Sequence, residues 1–321
     1  MTRLAALLIV LLAAPAWADP AQWKSEWPDT DFSRTAVDFK DILSGGPPKD
    51  GIPAIDDPKF VALSEVDIPG TEPVIGLVLN GEARAYPLRV LMWHEIANDT
   101  VGGVPVSVTY CPLCNAAIVF DRRVGERVLD FGTTGKLRNS DLVMYDRQTM
   151  SWWQQFQGEA IVGELLGTQL AIVPSRLESL ANFAARAPDG QVLVPNNPDM
   201  RNYGLTPYAG YDLSGAPFLY RGEYPDNVMP LDRVVKVGER AWALEYVKRR
   251  GQVETDDGLR ISWTPGQNSA MHEATIAEGM DVGNIVVQRR DDAGAWTDVA
   301  YGVDYAFAFH AFHPDAEIVS D

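Results

Sequence analysis

The chain has 321 residues, 46% of them hydrophobic, and carries 27 Lys and Arg against 44 Asp and Glu, for a net charge of −17. That length supports one large domain or two smaller ones with an ample core. So acidic a surface argues against partners that demand a basic footprint, nucleic acid first and anionic lipid second.

Residues 1–18 read as a secretory signal peptide. Arg3 supplies the positive start, residues 4–14 form an apolar run too short to span a bilayer, and Ala16-Trp17-Ala18 fits the small-x-small cleavage rule. The expected product begins at Asp19, periplasmic or secreted, with no stable membrane insertion after cleavage. Residues 19–58 predict an extended arm, broken at Gly45-Gly46-Pro47-Pro48, with a short helix over 35–43. The body, 59–321, is expected to be one unit with a subdivision near 195–225.

Strands dominate that body. Asn80-Gly81 predicts a hairpin between strands over 73–79 and 82–86. Pro87 suits the start of a short helix to about residue 97. Strand patterns follow over 104–110, 116–122, 127–131, 142–145 and 150–156. Ser175-Arg176-Leu177-Glu178 reads as a capping box opening a helix that ends at Pro188-Asp189-Gly190. Residues 196–222 are loop-rich, and a second strand-rich block runs from about 228. Val78-Leu79-Asn80-Gly81-Glu82 resembles Val235-Lys236-Val237-Gly238-Glu239, which suggests two similar halves. The fold class expected is α+β and β-rich, with mixed and antiparallel sheets and few short helices.

The only two cysteines stand in Cys111-Pro112-Leu113-Cys114. A disulfide between them would close a tiny loop and constrain little, so chemistry is the stronger reason for the pair. Flanking strand patterns and Pro112 favour a tight knuckle over the helix-opening motif of thioredoxin-like proteins. Two thiolates make half of a tetrahedral metal site. The other donors must come from elsewhere, and the chain holds four histidines: His94, His272, His310 and His313. His94 lies on the short helix. His310 and His313 point to opposite faces if the last run is a strand.

Phe131-Gly132-Thr133-Thr134-Gly135-Lys136-Leu137 lacks P-loop spacing, which excludes nucleotide, and reads as a hairpin loop or the lip of an anion pocket. Trp152 and Trp153 point to opposite faces of a strand, so at least one reads as core. No serine-triad motif and no second histidine after His94-Glu95 is present.

Together, the segments Trp93-His94-Glu95, Thr109-Tyr110-Cys111-Pro112-Leu113-Cys114-Asn115, Phe131-Gly132-Thr133-Thr134-Gly135-Lys136, Asn139-Ser140-Asp141-Leu142 and Phe312-His313-Pro314 resemble the DUF3179 family of uncharacterised proteins. The resemblance implies that these segments belong to one unit, and it favours His313 over His310. It implies no activity.

The leading expectation is an exported metal-binding protein with Cys111, Cys114, His94 and His313 as ligands. Sulfur with imidazole suits copper or zinc, and an open ligand position would permit redox chemistry. Lys136, Arg138, Ser140 and Arg147 are expected on the side of an unassigned small-molecule or protein substrate. Two alternatives stand beside it. One is a metal-free thiol–disulfide protein in which Cys111 attacks, Cys114 resolves and His94 helps form the thiolate. The other is a ligand-binding scaffold with an inert disulfide.

Overall fold

Asn80 and Gly81 take positive φ, 47° and 85°, and the strands Pro73–Leu79 and Glu82–Pro87 pair antiparallel around them. This hairpin belongs to a computed structural model that describes residues 20–291 and 293–321. The expected signal peptide, 1–18, lies outside the described residues. Five sheets of three or more strands stand in a propeller-like ring. No helix among the described residues is long and apolar enough to cross a membrane.

Two of these sheets repeat one topology. In the first, Pro73–Leu79 pairs antiparallel with Arg176–Ser179 and with Glu82–Pro87, and Gln191–Val194 runs parallel to Glu82–Pro87. In the second, Arg233–Val237 pairs antiparallel with Gly302–Tyr305 and with Arg240–Ala243, and Ile318–Val319 runs parallel to Arg240–Ala243. Each hairpin runs straight into a seven-residue helix, Leu88–His94 or Leu244–Arg250. Each edge strand does the same, into Leu180–Arg186 or Ala306–Phe312. An antiparallel sheet follows each hairpin helix: Ile96–Val101, Val104–Cys111 and Ala116–Asp121 in the first half, and Gln252–Glu254, Leu259–Thr264 and Asn284–Arg290 in the second.

The halves pack reciprocally. Gly302–Tyr305 lies against Ala116–Asp121, and Arg176–Ser179 lies against Asn284–Arg290. Where they meet, a cavity of about 10 Å³ is lined by corresponding residues from both: Leu88 with Leu244, Asn115 with Asn268, and Leu177 with Val303. The likeness of the two hairpins therefore extends to whole half-molecules. The fifth sheet has no counterpart. It orders Ile42–Ser44, Phe131–Arg138, Asp141–Asp146, Trp152–Gln154 and Glu159–Val162.

Several sequence expectations change here. The helix after Pro87 ends at His94, because Glu95 takes φ 58° and turns the chain into a strand. Residues 176–179 are strand, and the next helix is capped by Ser179, whose side chain accepts from the Asn182 amide. Glu178 is drawn from the expected capping box into an ion pair with Arg186. The terminal aromatic run forms the helix Ala306–Phe312, which buries Ala306, Phe307, Ala308 and Phe309 and packs on Arg233–Val237 and Gly302–Tyr305. The stretch from Phe131 to Arg138 is strand rather than loop. The helix expected over 35–43 is a single 3-10 turn, Phe39–Asp41, followed by the strand Ile42–Ser44. Trp152 and Trp153 are both fully buried, packed on opposite faces of their sheet in separate hydrophobic clusters.

Candidate metal centre

Cys111 ends the central strand of the first-half sheet, and Pro112–Cys114 makes one 3-10 turn. Pro112 sits at the start of that turn, where a missing amide hydrogen is harmless and its fixed φ helps. Asn115 closes the turn with φ 51°. Its amide donates to Val303 O at 2.6 Å, and its Oδ1 accepts from Tyr110 at 3.1 Å. The knuckle is thus tied to the second half of the molecule, and both sulfurs face inward, with Cys111 1% and Cys114 0% exposed.

Both thiols are free. The neighbouring Cys114 thiol and the Leu142 amide favour the Cys111 thiolate, and Cys111 in turn disfavours that of Cys114. Asp141, at the start of its strand in the fifth sheet, completes a group whose ligand atoms lie within 4.8 Å of one another. Among the described residues no other set of three or more His, Cys, Asp or Glu side chains meets that spacing. One carboxylate oxygen of Asp141 accepts from Gln154 Nε2 at 2.6 Å and from the Phe156 amide at 2.9 Å. The other, Oδ1, is buried and has no conventional donor; the Cys111 thiol stands beside the carboxylate.

Burial pushes both thiols up, Cys114 well above the ordinary range, and the negative charge of Asp141 adds to this. Burial also lifts Asp141 to about 6, against the hydrogen bonds it accepts. Glu95 is lifted to about 8 by burial and then by Asp141. The Lys236 ammonium lowers Asp141 from a distance but pairs with Asp304 at 3.3 Å. No cationic side chain among the described residues forms an ion pair with Asp141 or Glu95. Two thiols and two carboxyl groups therefore share one buried region without a partner cation.

Tyrosines from the loop-rich stretch cover the knuckle. Tyr211 donates to Leu113 O at 3.2 Å and accepts from the Phe218 amide, while Ser140 donates to Phe218 O at 2.5 Å. Tyr208, Tyr211 and Tyr220 pack on the hydrophobic cluster that contains both cysteines.

Of the residues expected at the site, the structure brings together Cys111, Cys114 and Ser140, whose carbonyl accepts from Cys111 at 3.8 Å. The imidazoles lie elsewhere. Both ring nitrogens of His94 are engaged, with Pro53 O at 2.7 Å and Tyr203 Oη at 2.8 Å. His313 leans on Phe309 at 5.1 Å, and burial with the nearby Lys236 holds its pKa down. His272 lies beside Glu273. Lys136 pairs with Glu26 and Arg147 with Asp56. Arg138 donates to Gln154 Oε1 at 3.3 Å and so touches Asp141 through that amide.

Sequence reasoning passed over Asp141 and Glu95. Each adjoins a residue it weighed, Ser140 or His94. Nothing in the spacing of 95, 111 and 141 shows that three sheet elements converge.

A family model described as "Protein of unknown function (DUF3179)" matches residues 49–316. No curated protein and no solved structure matches.

Proposed function

Because the chain belongs to the DUF3179 family, whose name assigns no activity, we propose a function from the site itself: an exported protein that holds one transition-metal ion, zinc or copper, through Cys111, Cys114 and Asp141. The observation that carries this reading is the buried group of two sulfurs and a carboxylate within 4.8 Å, with Asp141 Oδ1 lacking a donor. A cation would supply what the protein does not. It would favour the thiolates that burial disfavours and would satisfy the orphaned oxygen.

Two sulfurs with a carboxylate suit zinc, and soft sulfur also accepts copper. With three protein donors, one position stays free. An ion held there supplies Lewis-acid polarisation, or one-electron exchange if it is copper. The residues around it have separable tasks. Gln154 and the Phe156 amide hold the Asp141 carboxylate. Asn115 fixes the knuckle. Tyr208 and Tyr211 limit the entry of water. Export rests on residues 1–18, and any small molecule or protein acted upon is unassigned.

The test is metal and thiol content of the chain isolated from the exported fraction, with its N-terminus at Asp19. About one ion per chain is expected, lost in Cys111→Ser. A chain free of metal, with both thiols titratable or joined as a disulfide, would sink the proposal.

One observation favours thiol–disulfide exchange as a second reading: the two free sulfurs lie within 4.8 Å of each other. The raised pKa of both thiols weighs against it.

A further inference from the structure

The two halves of the molecule let one copy act as a control for the other. Glu95 and Gly251 both end the hairpin helix of their half, at φ 58°, ψ −30° and φ 69°, ψ −36°. Both carbonyls accept the same sheet hydrogen bond at 2.8 Å, Glu95 from Tyr110 and Gly251 from Trp263. That equivalence aligns Tyr110-Cys111-Pro112-Leu113-Cys114-Asn115 with Trp263-Thr264-Pro265-Gly266-Gln267-Asn268. The residues that shape the turn, proline and asparagine, are the same in both copies. The sulfurs are not: Thr264 and Gln267 replace them.

Glu95 changes with the cysteines. A β-carbon at this φ is strained, and the second copy meets the demand with glycine. A Cβ at Gly251 would touch nothing within 4 Å, so conformation alone explains the glycine there. In the first copy the strain is retained and the side chain is buried, 8% exposed. Its carboxyl group forms no hydrogen bond or ion pair among the described residues; its charge is felt by Cys111 and Tyr208, and it feels that of Asp141. Strained residues persist only where the surrounding structure over-determines them, and they cluster at functional sites.

We infer that Glu95 is a working carboxylate of the cysteine centre, set beyond the three donors to accept a hydrogen bond from a protic ligand, water or a hydroxyl or amine of a substrate, at the free position. This rests on the metal reading for the ligand it acts on, but not for its being functional rather than structural. Glu95 acts through the bound ligand, so it is a positioning residue. The second half is then a scaffold copy in which the same turn carries no donors.

The experiment uses the mature full-length chain at pH 7 and the variant Glu95→Gly, with Glu95→Asn as the second residue type that tolerates positive φ. Thermal unfolding of the metal-free protein is expected to rise by roughly 2–4 °C in Glu95→Gly as strain is relieved. Zinc affinity, by competition with a chromophoric chelator, is expected to fall about 10- to 100-fold, as for other outer-shell partners. A lower unfolding midpoint in both variants makes Glu95 part of the fold and overturns the inference. So does wild-type zinc affinity in both. If the wild-type chain itself takes up no zinc, the metal reading falls, and Glu95 is judged by alkylation of Cys111 with iodoacetamide in a Cys114→Ser background. There, at pH 9, where Glu95 with its pKa of about 8 is ionised, at least about a threefold faster reaction is expected on Glu95→Gly, since a neighbouring negative charge disfavours the thiolate; an unchanged rate overturns the inference.

Discussion

Asp141 and Glu95 are buried acids whose neutral forms the fold favours. Their carboxyls are lifted from ordinary values of 3.8 and 4.5 to about 6 and about 8. A carboxyl whose folded pKa is raised binds its proton more tightly when folded. Its contribution to stability is present in full below the unfolded pKa and is lost as pH rises through the folded one. The metal-free chain is therefore expected to lose thermal stability between about pH 4 and pH 8, from the unfolded pKa values to the folded ones. Glu95→Gln removes the loss between about pH 6 and 8, where Glu95 alone contributes, and Asp141→Asn lessens it below about pH 6. Thermal melts of the three proteins across this range measure it, and parallel curves would refute the assignment. Metal affinity has the opposite sign, since ligands must shed protons to bind, and it rises over the same interval. The cysteines were legible as the chemical centre because they are the only two and flank a proline turn. The carboxyls were not, because an isolated Glu or Asp in sequence looks like any surface acid, and only burial without a partner cation distinguishes these two.

At the scale of elements, the knuckle depends on Asn115, which holds a left-handed φ of 51° and bonds both Tyr110 and Val303. Asn115→Ala is expected to lose about 2–4 kcal/mol, from the buried hydrogen bonds and the positive φ together. Urea unfolding with an unchanged slope would measure that loss. A change below roughly 0.5 kcal/mol would show that the turn holds itself. Elements with local signals were read correctly: the Asn80-Gly81 hairpin, the strands around the cysteines and the core tryptophans. Elements governed by distant contacts were not. Ser175 to Glu178 has the letters of a capping box, yet pairing with Pro73–Leu79 makes 176–179 a strand. The run Phe307-Ala308-Phe309 has strand-like composition, yet it packs as a helix on Arg233–Val237. Helix Leu88–His94 stops early because Glu95 is placed at a φ its side chain resists, and no propensity rule anticipates that.

For the whole molecule, the repeat explains how an acidic chain of 321 residues gathers four chemical groups into one buried place. Two similar halves lock together edge to sheet. The sheet outside the repeat brings Asp141 to the knuckle of the first half, and the loop-rich stretch between the halves covers it. The hairpin resemblance at 78–82 and 235–239 was visible in the sequence, but its extent was not. Beyond the hairpins and the Pro-x-x-Asn turn, the copies share topology rather than residues. The expected imidazole donors illustrate the same limit. His94 is close to Cys111 in sequence order, but its helix points it at Pro53 and Tyr203. The central claim is a sulfur-and-carboxylate donor set, and X-ray absorption at the edge of the bound ion in the isolated mature protein tests it most directly. The account predicts two sulfurs at about 2.3 Å and oxygen at about 2.0–2.2 Å for zinc, with the sulfur shell lost in Cys111→Ser. A shell of imidazole nitrogens without sulfur, or no ion in a chain with both thiols intact, would contradict it.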